Sequence, residues 1–284
     1  MGKDIKIFMC THKAFEYLPP LAVAVQGGAK LKPPVPGAVP DYGAGGSISE
    51  KNPEYCELTV QYYAWKNEIA DYYGFCHYRR FFSTGKGTPV PYLAFGKLSE
   101  KKKSELLMSD KDISDIVSGY DVVVPRAEDM GCTVYEQYAS SAHCYAEDME
   151  LFVSILKKRY PYLSGHADEY LSQNKQYFCN MFIMKKDLFF GYCEHLFALL
   201  EEFDTVKVRH GSFQSDRTDG YLAERFLGIY LSYLRAGGAS VYECVRVDVD
   251  CALSKRISYT LLPPESKRRM LLKRLLGRSG KRTV

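Results

Sequence analysis

Short apolar runs alternate with amphipathic segments along this chain, and this alternation constrains the fold more than any other feature. The first run, residues 5–10 (IKIFMC), lies close to the N-terminus and ends at Thr11. Similar runs occupy residues 72–78 and 121–125, and segments with helical spacing of apolar residues lie between them. Strands separated by helices predict an α/β domain whose mixed, mainly parallel central sheet is flanked by helices.

The rest of the chain continues this pattern. Helices are predicted at residues 54–66, 98–117, 133–160, 186–203 and 220–234, and further strands at 181–184 and 241–249. Residues 25–46 are rich in Gly and Pro and predict a long ordered loop, a kind of segment that is often functional in a compact domain. We therefore expect one domain over residues 1–262 and a separate tail over residues 263–284.

Composition narrows the classes of function. The apolar fraction of 46% and the charged fraction of 25% are typical of a globular protein. The nine cysteines include no C-x-x-C pair and follow no secretory signal, which predicts reduced thiols in the cytoplasm. No apolar run reaches the length of about 18 residues that a transmembrane helix needs, so we expect no membrane span. The 23 tyrosines suit stacking against sugars or packing in a half-wet core.

Basic charge is concentrated in the tail. Residues 265–284 contain eight Lys or Arg and one Glu. Because this excess is confined to one segment, we expect no nucleic-acid-binding surface. Basic and apolar pairs alternate at helical spacing over residues 267–276, which predicts a basic amphipathic C-terminal helix lying on an anionic membrane surface, with a solvated tail as the alternative. The protein is thus predicted to be peripheral on the inner face of the cytoplasmic membrane.

The densest cluster of chemically useful side chains is GFCHYRRFF at residues 74–82. His77, Arg79 and Arg80 follow a predicted buried strand, and ligands of α/β sheets bind beyond the carboxyl ends of strands. A guanidinium holds phosphate oxygens through paired hydrogen bonds and keeps its charge at physiological pH. The cluster therefore predicts a site that stabilises a diphosphate leaving group, with surface salt bridges as the alternative.

Two further polar groups are predicted to bind the same donor. Thr11 and His12 close the first strand at the same sheet edge, although such a pair is also typical of a surface turn. Lys51 and Asn52 precede a predicted helix, where free backbone N–H groups favour phosphate or ribose oxygens. Ordinary helix capping is the alternative for that second group.

Carboxylates near residue 220 are candidates for the catalytic base. Asp219 and Glu224 lie at the start of a predicted helix, where a carboxylate can deprotonate an acceptor hydroxyl. An Asp-x-Asp pair that binds a divalent cation is common beside diphosphates, but the match here, Asp248 and Asp250, lies in a late strand and suits chance better. We expect no required metal, with a cation such as Mn²⁺ or Mg²⁺ left open.

Ordered motifs along the chain resemble those of a known family. They are SISEKNP (47–53), YCELT (55–59), WKN (65–67), GFCHYRRFF (74–82), YEQY (135–138), CNMFIM (179–184) and GYLAER (220–225). Over about residues 5–250 the chain resembles a bacterial family described as domain of unknown function 4422 and linked to capsular and exopolysaccharide synthesis.

This resemblance implies a glycosyltransferase with a GT-A-like fold and, for some relatives, transfer of galactofuranose from its UDP donor. The implied site residues are His12, His77, Arg79, Arg80, Asn180 and Glu224, with Tyr138, His143 and Tyr221 as acceptor contacts. The family pattern lacks acidic residues where this chain has Asp216 and Asp219. The base is therefore left open between Asp219, Glu224 and another residue.

The function predicted from these features is transfer of a hexose, with galactofuranose among the candidates, from a UDP-sugar to a lipid-linked glycan. The setting is capsule, exopolysaccharide or O-antigen synthesis. One alternative is a non-catalytic assembly protein that binds glycan or nucleotide sugar in a polysaccharide-export complex. Another is a different nucleotide-processing enzyme, such as a phosphotransferase.

Overall fold

The computed structural model describes residues 2–85, 87–142, 144–208, 217–262, 266 and 268–269. The strands are β1 (Ile5–Thr11), β2 (Ala22–Gln26), β3 (Val39–Pro40), β4 (Tyr72–His77), β5 (Arg80–Ser83), β6 (Tyr92–Ala94), β7 (Val122–Pro125), β8 (Glu128–Asp129), β9 (Lys175–Gln176), β10 (Phe182–Lys185) and β11 (Val241–Asp248). The helices are α1 (Asn52–Tyr55), α2 (Leu58–Asn67), α3 (Glu100–Leu106), α4 (Asp110–Gly119), α5 (Val134–Ala139), α6 (Ala146–Arg159), α7 (Ser164–Ser172), α8 (Lys186–Val206), α9 (Thr218–Ala236) and α10 (Leu253–Leu261).

Nine of the described strands form one mixed sheet. β3, β2, β1 and β4 lie side by side and parallel. β10 runs antiparallel between β4 and β7, and β11 lies parallel to β7. β5 turns back from β4 and pairs antiparallel with β11, while β6 pairs parallel with β11. The predicted α/β domain with a mixed sheet and flanking helices is confirmed, and the carboxyl ends of β1, β4, β7 and β11 point the same way.

The sheet separates two apolar layers. Tyr73 and Phe75 of β4 face a layer formed with α2, α6, α8 and α9. Tyr72 and Cys76 of the same strand face a smaller layer that includes α4. Because β4 is buried on both faces, its sequence is a continuous apolar run rather than an alternating one. This double burial holds the strand ends rigidly in place.

Some predicted elements are divided or misassigned. The continuous helix predicted over residues 133–160 was wrong, because α5 ends at Ala139 and α6 begins only at Ala146. The helix predicted over 98–117 is also two helices, since Ser109 caps the start of α4 by accepting a hydrogen bond from the Asp112 backbone N–H. The segment predicted as loop over 25–46 contains the end of β2 and all of β3.

No helix in the described part of the chain is both long and apolar enough to cross a membrane. The predicted amphipathic helix of the tail, residues 263–284, lies almost wholly outside the described residues.

Candidate functional site

The ends of β1 and β4 bring the first group of predicted site residues together. The parallel register of the two strands places Cys10 beside His77. The His12 ring then lies 6.4 Å from the His77 ring and 5.1 Å from the Tyr78 ring, measured between centroids. Thr11, which ends β1, is fully buried and its hydroxyl bonds to the Lys13 backbone. The β1 and β4 candidates therefore share one sheet edge, with Thr11 supporting the turn.

Arg79 and Arg80 occupy the turn between β4 and β5. The Arg79 guanidinium lies 5.3 Å from the centre of the Tyr78 ring. Arg80 stands opposite Asp248 in the β5–β11 ladder, and the nearby Cys179 and Asp248 raise the pKa of its guanidinium. Within the described residues neither guanidinium forms a salt bridge, although both are half-buried. Among the described residues, no carboxylate therefore neutralises these two positive charges by direct contact.

His77 is half-buried like the two arginines, but its Nδ1 atom is enclosed. Burial, followed by the charges of Arg80 and Arg79, lowers the pKa of His77 to about 2. The pKa of His12 is also lowered, by burial and by the charge of Lys32. Both imidazoles are therefore neutral at physiological pH. The positive field at this sheet edge therefore comes from the guanidiniums.

The low pKa of His77 predicts an effect on stability against pH. A histidine whose pKa is lowered on folding contributes stability above its unfolded pKa of about 6.5, and this contribution is lost as the pH falls below that value. As the pH falls from 7 to 5, the free energy of unfolding of the parent should decrease because the unfolded histidine takes up a proton. We expect the decrease to be about 2 kcal/mol smaller in His77→Asn. Urea unfolding at both pH values measures this difference. His166→Asn, on α7, is the control, and profiles for His77→Asn that run parallel to the parent would contradict the assignment.

A strained bend at Cys179 and Asn180 forms the floor of the site. Both residues have positive φ, 76° and 47°, which non-glycine residues adopt at a cost and which often mark functional sites. Glu224 accepts a hydrogen bond from the Cys179 backbone N–H at 2.8 Å. Glu57 accepts one from the Asn180 side-chain amide at 2.9 Å. The bend thus unites Asn180 and Glu224, which are predicted site residues, with Glu57, which sequence reasoning did not select.

The two glutamates have different environments. Burial and the negative charge of Glu224 raise the pKa of Glu57. Glu224 is anchored by the Cys179 N–H and lies 3.1 Å from the Arg225 guanidinium, with its side chain 15% exposed. When two neighbouring carboxyl groups have different environments, their pKa values differ, and one can act as an acid while the other acts as a base. Burial favours the protonated form of Glu57, which does not suit a base, so Glu224 is kept as the candidate.

A small enclosed cavity of about 10 Å³ lies between this bend and β4. His77, Gln61 and Asn180 line it, and each of them carries a buried polar atom that has no hydrogen-bond partner among the described residues. These atoms are the His77 Nδ1, the Gln61 Oε1 and the Asn180 Oδ1. Buried polar groups are normally paired, so the three atoms mark a place built to receive hydrogen bonds.

Arg217 is a second residue that sequence reasoning missed. Its Nε donates to the Cys56 Sγ at 3.1 Å, and its guanidinium lies 5.3 Å from the centre of the Tyr221 ring. Its charge also contributes to the lowered pKa values of His12 and His77, which places it toward the same cluster. Tyr221, a predicted acceptor contact, is half-buried beside this guanidinium.

Lys51 and Asn52 have different positions. The Asn52 side chain packs against Gly28 beyond β2, and its Oδ1 accepts a hydrogen bond from Lys32 at 3.3 Å. The Lys51 ammonium instead donates to Asp204 at 2.8 Å. Asn52 therefore lies at the edge formed by the early strands, whereas Lys51 is bound to a carboxylate of the protein itself.

Asp219 lies in a buried ion cluster around Lys207. The Lys207 Nζ is 2.6 Å from Asp219, 2.7 Å from Asp204 and 2.9 Å from Glu54. Burial raises the pKa of Asp219 to about 7. Because the Asp219 side chain is fully enclosed, it does not reach an acceptor in this structure, and its observed contacts are structural. The three carboxylates are close enough to hold a metal ion, but the lysine ammonium occupies the space between them.

The remaining predicted residues lie elsewhere. Tyr138 is fully buried, with the Arg225 guanidinium 5.0 Å from its ring centre, so it packs in the core rather than facing an acceptor. His143 lies outside the described residues. Asp248 forms ion pairs with Arg246 at 2.7 Å and Lys255 at 3.1 Å, which agrees with a chance Asp-x-Asp match.

Two further recesses are large enough to hold a ligand. One of about 300 Å³ adjoins Tyr78 and Lys13 and has aromatic walls from Phe15, Tyr17 and Phe81. The other, of about 930 Å³, lies apart from the cluster between α7, α9 and the end of β7, and its lining is mostly polar. The first has the size and aromatic lining that suit a nucleoside, and the second has room for a longer polar ligand.

The fold is that of an α/β protein that carries a cluster of guanidinium and imidazole groups at the carboxyl edge of its sheet. The chain belongs to the family described as Domain of unknown function (DUF4422), which matches residues 6–235. It is similar to the apo structure of WbbM, a bifunctional glycosyltransferase, with a TM-score of 0.79 and 29% identity. The similarity covers 87% of this chain and 45% of the WbbM chain, so the chain spans less than half of that protein. No curated protein matches the chain.

Proposed function

We propose that this protein is a glycosyltransferase that transfers a hexose from a UDP-sugar to a glycan acceptor. The observation that carries the proposal is the pair of guanidiniums, Arg79 and Arg80, at a sheet edge without a direct carboxylate partner among the described residues. Similarity to a bifunctional glycosyltransferase at 29% identity supports the reaction class. The antiparallel β10 between parallel β4 and β7 supports the GT-A-like assignment.

The donor would lie across the ends of β1 and β4. Its uridine fits the aromatic recess beside Tyr78, and its diphosphate then lies next to Arg79 and Arg80. Negative charge grows on the diphosphate as the sugar–phosphate bond breaks, and fixed guanidiniums stabilise that charge without reorganising. The neutral imidazoles of His12 and His77 add hydrogen bonds to this site.

Glu224 would act on the acceptor. It accepts the proton of the acceptor hydroxyl while that oxygen bonds to the anomeric carbon and UDP departs with the electrons of the broken bond. The Cys179 N–H fixes the Glu224 carboxylate, and the Asn180–Glu57 hydrogen bond fixes the bend that carries it. Further hexose units of the acceptor have room in the polar recess between α7 and α9.

The proposed chemistry does not use a divalent cation. The described carboxylate group suited to a metal, Glu54, Asp204 and Asp219, already surrounds the Lys207 ammonium. We therefore expect transfer to continue at an unchanged rate in the presence of excess chelator. A rate that falls at least tenfold with chelator, and returns on addition of Mn²⁺ or Mg²⁺, would contradict this prediction.

A donor screen tests the activity itself. UDP-hexoses, including UDP-galactose and UDP-galactofuranose, are offered with water and with simple glycan acceptors, and released UDP is measured by mass spectrometry. The proposal expects UDP release with at least one hexose donor. Binding of donor with no release by any of them would favour the alternative, a non-catalytic nucleotide-sugar-binding protein of a polysaccharide-export complex.

The biological setting is proposed from the motifs and the tail. A lipid-linked acceptor of capsule, exopolysaccharide or O-antigen synthesis lies at the cytoplasmic membrane, and the basic segment at residues 265–284 suits the anionic inner face of that membrane. Galactofuranose is one candidate for the hexose, on the motifs shared with the family. The protein would work as a peripheral enzyme in the cytoplasm.

A further inference from the structure

Helix α10 exposes an apolar face to solvent. Leu253, Ile257 and Leu261 are 64%, 50% and 66% exposed, and they follow one another at intervals of four residues. Side chains spaced by four lie on one face of a helix. Scattered exposed leucines are normal on protein surfaces, but an aligned row on a short helix indicates an interaction surface.

The opposite face of α10 is the one attached to the protein body. Tyr259 packs on Tyr92 with ring centroids 4.9 Å apart, and Lys255 forms an ion pair with Asp248 at 3.1 Å. Lys255 and Tyr259 are also four residues apart, so they share one face of α10. Each follows a residue of the apolar row by two positions, and two positions correspond to a rotation of about 200° around the helix axis. The polar face is therefore fixed inward and the apolar row is directed outward.

Positive charge adjoins this face. Arg269 donates to the Leu262 carbonyl at 3.2 Å, which places the start of the basic segment against the end of α10. Arg268 beside it is exposed. The row of apolar side chains is thus continuous in the chain with eight Lys and Arg of residues 265–284. Apolar side chains beside cationic ones match an anionic lipid surface, where the former enter the headgroup boundary and the latter contact the phosphates.

We propose that the outward face of α10, formed by Leu253, Ile257 and Leu261, inserts into the headgroup region of an anionic bilayer. This inference rests on the membrane association proposed for the tail, but it does not depend on the transferase activity. It assigns the apolar part of the attachment to α10 and the electrostatic part to the basic segment. The attachment also orients the protein, because α10 is bound through Asp248 to β11 and so to the sheet that carries the site.

Vesicle sedimentation of the full chain tests the proposal. The probes are phosphatidylcholine vesicles with and without one quarter phosphatidylglycerol, at about 0.05 M and 0.5 M NaCl, since the higher salt screens the electrostatic part. We expect the triple variant Leu253→Ser, Ile257→Ser, Leu261→Ser to bind anionic vesicles about tenfold more weakly and to lose the binding that survives high salt. Ile69→Ser, at a residue that is 78% exposed elsewhere, is the matched control and should bind like the parent.

A fluorescence measurement gives a second readout. The chain has one tryptophan, Trp65, which stacks on Phe197, so Ile257→Trp adds a single reporter on the proposed face. We expect its emission to shift to the blue with anionic vesicles. Unchanged emission, or a triple variant that binds like the parent at both salt concentrations, would overturn the role of α10. If the parent and the triple variant both bind at low salt and both lose binding at high salt, the basic segment alone would account for the attachment.

Discussion

Replacing Arg79 with alanine should lower kcat by about 10²- to 10³-fold, the size of effect seen when one fixed group that stabilises a developing negative charge is removed. The Arg79 guanidinium is half-buried at the end of β4 and contacts the Tyr78 ring without a carboxylate partner among the described residues. Its removal therefore leaves no buried charge unpaired, and the thermal midpoint should change little. Steady-state release of UDP from the active donor measures the effect.

Two companion variants sharpen this test. Arg159→Ala removes an exposed guanidinium that pairs with Glu202 far from the site, and it should keep full activity. Arg79→Lys keeps the charge but loses the two parallel hydrogen bonds, so its kcat should lie between those of the parent and of Arg79→Ala. Full activity in Arg79→Ala would remove the residue from the mechanism.

Replacing Lys207 with methionine should destabilise the fold by about 3–5 kcal/mol, because removal of one partner leaves buried charges uncompensated. The Lys207 ammonium is 2% exposed and joins Glu54 before α2, Asp204 in α8 and Asp219 in α9. At this chain length the loss corresponds to a decrease of roughly 10 °C in Tm. Chemical unfolding at pH 7.5 measures the free energy directly.

The dependence of this loss on pH identifies its cause. Burial already raises the pKa of Asp219, and loss of the ammonium raises it further, so the loss of stability should shrink as the pH falls and this carboxyl takes up a proton. Lys157→Met, which breaks an exposed pair with Asp168, should cost about 1 kcal/mol or less. If Lys207→Met lowers the free energy of unfolding by as little as Lys157→Met does, the cluster contributes little to stability.

The strands were predictable because burial imposes a local signal. β1, β4 and β7 are buried on both faces, and their sequences are mainly apolar runs. Their positions could therefore be predicted from the sequence, and with them the sheet edge at residues 77–80. The start of the helix predicted at 133–160 also has a local signal, because Thr133 and Glu136 form a capping box. That signal marks the start of α5, but it does not show where α5 ends.

The pairing of polar side chains was not predictable in the same way. Glu57 meets Asn180 across 123 residues, and Lys51 meets Asp204 across 153. The packing of helices on the sheet creates these contacts, and the spacing of residues along the chain does not indicate them. For this reason Glu57 and Arg217 were missed. Lys51 was predicted to bind the donor and Asp219 to act as the base, whereas the structure pairs both with charges of the protein. The roles of Glu224, Asn180 and the arginine pair stay predictions.

The central claim is that the guanidiniums of Arg79 and Arg80 hold the diphosphate of a nucleotide donor. Isothermal titration of UDP into the parent protein, the double variant Arg79→Ala/Arg80→Ala and the control Arg159→Ala tests it most directly. The account predicts UDP binding in the parent and the control, with an affinity at least about 30-fold weaker in the double variant, since each charge-assisted bond contributes about 1.5–3 kcal/mol. Equal affinity in all three proteins would contradict the account.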